Sequence, residues 1–261
     1  MKGWPFGHPF FMHLFYFYLN LFIIAVYNSC MILDWNTIDT VFLDMDGTIL
    51  DRHFDDHFWL HHVPYRWSEK FQVSLDQAKT QLHGMFRSQE RTLNWTDLDY
   101  WSDRLGLDMP ILKLELEHMI QVHPGVVEFL QFCRLHNKQL WLITNAHSKT
   151  LDIKLKKTRI GHYFDGIISA HTVGLPKEDS AFWDVLQKHV QYVPSRTLLG
   201  EDSETNLGTA QQYGILYLMY IRRYSSVIKP VSSKLYHSID YFTRLIPTKG
   251  STVSIDDPGG R

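Results

Sequence analysis

The feature that most constrains the fold is an alternation of short apolar runs with segments of helical periodicity. The apolar runs lie at 40–45, 139–144, 165–169, 196–200 and 215–219, and the helical patterns at 124–136, 147–158, 179–189 and 203–213. Strands that alternate with helices form a parallel sheet covered on both faces. We therefore predict an α/β fold built on a doubly wound parallel sheet.

A long insertion separates the first two apolar runs. About ninety residues lie between them, far more than one crossover helix requires. This stretch has helical periodicity and contains aromatic segments such as NWTDLDYW, which supply enough apolar bulk for a small packed unit. We predict a helical cap domain over 51–121, inserted into a catalytic core of 35–50 and 122–247.

The two ends of the chain differ from the rest in composition. Residues 9–27 form an uncharged apolar stretch of about the 20 residues that a bilayer-spanning helix needs, so an anchor or signal is one interpretation. His13 and Asn20 interrupt the stretch, and Met31 opens a polar lead-in to the first strand. We favour a start at Met31, which makes 1–34 an apolar extension. The polar, Gly-rich tail 248–261 is predicted to be disordered.

Charge and cysteine content exclude some classes of protein. The net charge is -2 with a pI near 6.7, and the scattered basic residues supply no field for nucleic acid. Two cysteines cannot build a disulfide framework, which fits a reducing compartment such as the cytoplasm. We expect a small-molecule partner, no nucleic acid, and membrane contact only if 9–27 is a genuine membrane segment.

The segment VFLDMDGTILD carries the most informative motif. It places Asp44 at the carboxyl end of a strand, where open parallel sheets bind ligands. Asp46 starts on the same side of the chain, and the Gly47 turn can bring both carboxylates to one ligand. One can attack phosphorus while the other protonates the leaving oxygen. A plain surface turn or a calcium loop is the alternative, but such a loop requires Gly sixth and Glu twelfth, where this chain has Gly47 fourth and Asp55 twelfth.

Two later strand ends carry groups suited to a phosphate. Thr144 and Asn145 follow the second strand and can hold phosphate oxygens, although, without the neighbouring motifs, such a pair is more often ordinary helix capping. Lys177 follows the third strand in VGLPKED and can neutralise a phosphoryl group. A single loop lysine is otherwise usually solvated, so its place in the order of strands is what favours the functional interpretation.

The fourth strand runs into Glu201 and Asp202, which offer an oxygen-rich corner for Mg²⁺. Asp202 or the following Ser203 could also cap the next helix. Together with Asp44 and Asp46, these carboxylates would repel one another without a divalent cation. The sequence therefore predicts a magnesium site.

The set DMDGT, TN, PK and ED, in that order, resembles the haloacid-dehalogenase-like hydrolases. The resemblance implies Mg²⁺ as cofactor and a phosphate monoester as substrate. It implies the following roles: Asp44 as nucleophile and metal ligand; Asp46 as acid/base with its backbone carbonyl on Mg²⁺; Lys177, Thr144, Asn145, Gly47 and Thr48 as groups around the phosphate; and Asp202, with Glu201 beside it, as metal ligands. A dehalogenase is disfavoured because that branch does not need Asp46.

A closer resemblance extends over about 34–247. The segments FDDHFW, LNWTDLDYWSDRLGLD, LITNAH and GLPKEDSAFW look like the bacterial GMP/IMP nucleotidases, which implies purine nucleoside 5′-monophosphates as substrates. Those proteins typically have two adjacent aspartates where this chain has Glu201 and Asp202, so the metal geometry is expected to differ. A sugar-phosphate phosphatase or phosphomutase, or a degenerate membrane-tethered binding protein, are the alternatives.

Overall fold

The structure, a computed structural model, describes residues 31–247 and 253–255. Its centre is a six-stranded sheet in the order β4-β3-β2-β5-β6-β7, in which every neighbouring pair is parallel. The strands are β2 (Thr40–Leu43), β3 (Gln139–Thr144), β4 (Gly166–Ser169), β5 (Thr197–Glu201), β6 (Tyr217–Ile221) and β7 (His237–Ile239). The predicted doubly wound parallel sheet is confirmed.

Five of these strands coincide with the five predicted apolar runs, with small differences at the ends. The edge strand β7 was not predicted, because three residues are too short for a recognisable periodicity. Four core helices also lie where their patterns placed them: α6 (Val126–Leu135), α7 (Ser148–Thr158), α9 (Phe182–Leu186) and α10 (Glu204–Tyr213), with a short α8 (Ala170–Val173) after β4.

The central strand β2 is buried along its whole length and serves both faces of the sheet. Val41 and Leu43 belong to an apolar cluster on one face, where α6 contributes Phe129. Phe42 points the other way, into a second cluster that includes Trp183 of α9. This alternation follows from the period of two along a strand, in which successive side chains point to opposite faces of the sheet.

The insertion between β2 and β3 is helical, as its pattern indicated. It contains α1 (His53–His57), a π-helical turn (Phe58–His62), α2 (Val63–Phe71), α3 (Leu75–Arg87), α4 (Leu98–Leu105) and α5 (Met109–Glu115). Helix α3 begins with a complete capping box between Ser74 and Gln77, and the Asp97 side chain caps α4. Phe54 and Trp101 of these helices belong to the same apolar cluster as Val41 of the sheet.

A separate two-stranded antiparallel sheet joins β1 (Met31–Leu33) to β8 (Val253–Ile255). The expectation of a disordered tail from 248 onward therefore does not hold for Val253–Ile255, whose backbone pairs with a strand distant in sequence. The apolar segment 9–27 lies outside the described residues, whereas Met31, the favoured start, is the first residue of β1. Within the described part of the chain, no helix is long and apolar enough to cross a membrane.

Candidate active site

Asp44 and Lys177 form the centre of the candidate site at the carboxyl end of β2. The Asp44 backbone N–H donates to the carbonyl of Gly200 on β5 (3.0 Å), which fixes the first residue after the strand. The Lys177 ammonium is 1% exposed and donates to Asp44 Oδ1 at 2.5 Å and to the Ile143 carbonyl at 3.2 Å. Two residues that the sequence placed at different strand ends are thus in direct contact.

The loop that carries Lys177 is held at its backbone on both sides. Its N–H donates to Asn145 Oδ1 (3.0 Å), and its carbonyl accepts from the Thr209 hydroxyl (2.8 Å). Asn145 in turn donates through Nδ2 to Glu178 Oε2 (2.9 Å). Asn145 therefore positions the lysine loop, a role that the sequence did not indicate.

Glu201 and Asp202 stand at the carboxyl end of β5, and they have different partners. Glu201 is buried; its Oε2 accepts from Lys177 Nζ at 2.7 Å and its Oε1 from the Ser203 N–H at 3.2 Å. Asp202 Oδ2 instead accepts from the guanidinium of Arg52 at 3.1 Å. The N-cap of α10 is Ser203, so Asp202 does not serve as that cap and its carboxylate faces the site.

Burial and mutual repulsion disfavour the ionised forms of the carboxyl groups in this cluster. Burial raises the pKa of Asp44 to about 6, with the charge of Glu201 as the next cause. It also raises the pKa of Glu201 to about 7 and that of Asp202 to about 6, the latter with help from Asp44. Burial lowers the pKa of Lys177, but the charges of Asp44 and Glu201 outweigh it and raise that pKa overall. The ammonium stays protonated and compensates only part of the negative charge.

The Gly47 turn makes room for this arrangement. Gly47 has a φ of 87°, and a Cβ atom there would stand 2.3 Å from Asp202 Oδ2. Its N–H donates to the Leu50 carbonyl (2.8 Å), which closes the turn. Any side chain at this position would both strain the backbone and displace the Asp202 carboxylate, so the glycine lets the turn after β2 approach the end of β5.

Asp46 pairs with a different lysine from Asp44, in a second group of charges formed with the inserted helices. Its Oδ1 accepts from Lys154 Nζ at 2.5 Å, and the same ammonium donates to Asp55 Oδ2 at 2.5 Å. Lys113 donates to Asp55 Oδ1 at 2.8 Å. Burial and the neighbouring Asp55 raise the pKa of Asp46 to about 6, whereas the two lysines lower that of Asp55 to about 2 despite its burial. Asp46 is therefore the carboxylate of this group that accepts a proton near neutral pH.

The remaining predicted phosphate groups lie at the same edge of the sheet. Thr144 is buried at the end of β3, and its Oγ1 accepts from the Ala146 N–H (3.1 Å), as in a local turn. Thr48 is completely buried, and its hydroxyl has no hydrogen-bond partner among the described residues.

The carboxylates near Asp44 fit a magnesium ion. One oxygen each of Asp44, Glu201 and Asp202 lie within 4.8 Å of one another, and oxygen ligands of this kind are those that Mg²⁺ prefers. The side chain of Asp46 is outside this group, so only its backbone carbonyl is available for the role that the resemblance implies. Because both carboxylate oxygens of Glu201 already accept hydrogen bonds, Asp44 and Asp202 are better placed to bind the ion.

Sequence analysis did not identify four charged residues of the site: Arg52, Asp55, Lys113 and Lys154. One signal was available for Lys154, because α7 places it three residues after Leu151 on the buried face, whereas Lys156 and Lys157 are exposed. Arg52 directly follows the DMDGTILD segment, but nothing in its type distinguishes it from a solvated arginine. The pairing of Asp55 with Lys113 depends on tertiary packing and had no local signal.

The parallel sheet and the charged groups at the carboxyl ends of its strands are features that can be compared with known protein families. Residues 38–214 match the model of the haloacid dehalogenase-like hydrolases, and the chain belongs to that family. It is 36% identical over 214 residues to the GMP/IMP nucleotidase YrfG of Escherichia coli (strain K12), covering 82% of this chain and 96% of that protein.

Two further comparisons are more distant. The chain is 28% identical over 97 residues to phosphoglycolate phosphatase 1 of Pseudomonas aeruginosa. This match covers 37% of this chain and 36% of the phosphatase. The crystal structure of a HAD phosphatase from Thermococcus onnurineus superposes with a TM-score of 0.68 at 22% identity, covering 80% of this chain and 96% of the other. At that identity the superposition supports the fold alone.

Proposed function

We propose that this hydrolase is a magnesium-dependent phosphatase that converts purine nucleoside 5′-monophosphates, GMP and IMP, into nucleoside and phosphate. The observation that carries the chemistry is the separation of Asp44 and Asp46: one contacts Lys177 beside the oxygen cluster, the other contacts Lys154. Two carboxylates in different surroundings can perform two different tasks. We further propose that the protein is cytoplasmic, as the sequence analysis predicted.

In the first half of the reaction, the Asp44 carboxylate attacks phosphorus. A bond forms between its oxygen and phosphorus while the bond from phosphorus to the ester oxygen breaks, and the Asp46 carboxyl gives its proton to that leaving oxygen. In the second half, Asp46 takes a proton from a water molecule, which attacks the phosphorus of the aspartyl-phosphate and releases Asp44. A pKa of about 6 for Asp46 suits a group that must both donate and accept near neutral pH.

Asp44, Asp202 and the Asp46 backbone carbonyl would hold Mg²⁺, and Lys177 would contact the phosphoryl group. When bound, the ion neutralises charge on the phosphoryl oxygens and the carboxylates. Arg52 pairs with Asp202 from a side chain that is 44% exposed, so a bound ion would replace a cation that lies at the edge of the site. Glu201 keeps Lys177 in place through its 2.7 Å contact.

The choice of purine nucleotides rests on the 36% identity to the nucleotidase over nearly its whole length. A cleft beside the lysine loop offers space for a nucleoside. It has a volume of about 480 Å³, and its lining includes Arg91 and Asn94 of the inserted segment and Pro176 and Glu178, which flank Lys177. Polar groups on both walls suit the edge of a base.

The test is phosphate release from a panel of nucleoside monophosphates and sugar phosphates, with Mg²⁺ and with the ion removed by a chelator. We expect magnesium-dependent release that is fastest with GMP and IMP. Faster turnover of sugar phosphates would keep the mechanism and replace the substrate assignment with the sugar-phosphate alternative. Release that continues undiminished without a divalent ion would contradict the proposed metal role.

A further inference from the structure

Asp97, His147 and His171 converge at the contact between the inserted helices and the core, apart from the carboxylates of the candidate active site. One ligand atom of each lies within 4.8 Å of the other two. Asp97 belongs to the insertion, at the start of α4, while His147 precedes α7 and His171 lies in α8. The imidazole rings meet edge to face with centroids 5.0 Å apart, and His147 Nε2 is 3.7 Å from Asp97 Oδ1.

The hydrogen bonds among the described residues leave one carboxylate oxygen of Asp97 and one ring nitrogen of His147 without a partner. Asp97 uses Oδ1 to cap the Asp99 and Tyr100 N–H groups (2.8 and 3.0 Å), which leaves Oδ2 for a ligand. The Nδ1 atom of His147 is buried and has no hydrogen-bond partner among the described residues. A buried ring nitrogen without a partner is costly unless something binds it.

The protonation state of His171 follows from its neighbour Thr96. The Thr96 hydroxyl has one hydrogen, and its 2.6 Å contact with the Asn145 carbonyl requires that hydrogen. Toward His171 Nε2, 2.9 Å away, the hydroxyl oxygen can then only accept, so the proton lies on Nε2 and the Nδ1 lone pair is free. Metal-binding histidines are typically oriented in this way, with the second ring nitrogen donating to an oxygen.

We propose that Asp97, His147 and His171 form a second cation site, specific for a late first-row divalent ion such as Zn²⁺ or Co²⁺. Two imidazoles and one carboxylate with an open fourth position are a frequent ligand set for zinc, whereas Mg²⁺ prefers oxygen ligands alone. In a tetrahedral site with bonds near 2 Å, ligand atoms lie roughly 3.3 Å apart, so the three side chains need to approach by about 1 Å or a little more.

Such an ion would fasten the insertion to the core. Asp97 is the only one of the three ligands that comes from the inserted helices, and Thr96 beside it already contacts the Asn145 carbonyl at 2.6 Å. Asn145 holds the backbone of Lys177. An occupied site therefore fixes the insertion against the loop that carries Lys177, and we expect the ion to slow any reaction that requires the insertion to move away.

The experiment is a titration of the full chain with Co²⁺ while excess Mg²⁺ occupies the carboxylate site, followed by visible absorption. Tetrahedral Co²⁺ absorbs strongly, whereas octahedral Co²⁺ bound by oxygen absorbs weakly. We expect an intense band that is complete at one equivalent of Co²⁺. His171→Ala should lower the apparent affinity for Co²⁺ at least about 100-fold, and Asp97→Asn should lower it as well. Asn preserves the helix cap, so this second variant separates loss of a ligand from loss of folding.

Two controls make the result specific. His57 and His61 are one helical turn apart, with ring centroids separated by 5.4 Å, and could bind Co²⁺ on their own, so His61→Ala is the matched histidine control. Asp44→Asn is the control for the carboxylate site. The band should persist in both. Absence of an intense band, a band that survives His171→Ala, or a band lost in His61→Ala or Asp44→Asn would overturn the proposal.

Discussion

Two buried groups of charges flank the end of β2, and they differ in balance. On the core side, the carboxylates of Asp44, Glu201 and Asp202 lie around one buried ammonium, that of Lys177, and the half-exposed Arg52 is the one further cation that pairs with them among the described residues. On the side of the insertion, two buried lysines face two aspartates: Lys154 and Lys113 with Asp46 and Asp55. The first group has surplus negative charge, and the second is neutral as a whole.

This difference separates a site that needs a cation from one that needs none. A surplus of buried carboxylates is unfavourable until a cation neutralises it, so a divalent ion such as Mg²⁺ would stabilise the core group. The balanced group gains nothing from an ion and instead connects Asp46 to the inserted helices. The turn at Gly47 assigns one aspartate of the DMDG motif to each group.

The largest expected effect concerns the core group. Asp44→Asn replaces the carboxylate that we propose as nucleophile with a neutral amide, and we expect kcat for phosphate release to fall by roughly 10⁴-fold or more. Asp152→Asn, on the exposed side of α7, is the matched control and should retain full activity. If Asp44→Asn kept more than a tenth of the activity, the nucleophile would have to be sought elsewhere.

The second effect concerns stability in the balanced group. Asp55→Asn leaves Lys113 and Lys154 buried without their shared counter-charge, and we expect the free energy of unfolding to fall by about 3–5 kcal/mol. The folded-state pKa of Asp55 is lowered from 3.8 to about 2, so the part of this contribution that depends on its ionisation, roughly 2 kcal/mol, is present above pH 3.8 and is lost as pH falls toward 2. Urea unfolding at neutral pH and near pH 3 measures both. Equal stabilities of wild type and variant at neutral pH would refute the pairing.

A third test separates the two acidic residues after β5. Asp202→Asn should weaken Mg²⁺ binding by roughly 10-fold to 100-fold, because Asp202 is one of the carboxylates that we propose as ligands of the ion. Glu201→Asp should change that affinity by less than about 3-fold, since the Glu201 oxygens contact Lys177 and the Ser203 N–H. Calorimetric titration with Mg²⁺ measures both. The reverse order would make Glu201 the principal ligand.

The smallest effect is a shift in pH dependence. Lys154 lowers the pKa of Asp46, so Lys154→Met should raise that pKa. In the proposed mechanism Asp46 holds a proton in the first half-reaction, so the alkaline limb of the kcat profile should move upward by about one pH unit. Lys156→Met, at an exposed position of the same helix, should leave the limb unchanged. If the alkaline limb does not move in Lys154→Met, Asp46 is not the group whose ionisation produces it.

Most of the architecture could be predicted from the sequence, because a parallel sheet leaves a regular pattern of apolar runs. The strand ends that carry Asp44, Thr144 and Glu201 were located in this way, and their convergence follows from parallel pairing. The short strands β1, β7 and β8 have too few residues for such a pattern. The partners of Asp46 could not be predicted, since Lys154 and Asp55 meet only through packing of the insertion against α7.

Strand order also has a consequence for how the chain folds as it is synthesised. Thr40 pairs with Gln139 on one side and with Thr197 on the other, so both neighbours of β2 emerge from the ribosome long after β2 itself. Until residue 201 is available, the apolar central strand lacks one side of its pairing, and contacts of such large sequence separation form slowly. The groups around Asp44 therefore assemble late. A nascent chain that stalls before β5 would expose an apolar strand that is prone to aggregation, and it would lack the complete candidate active site.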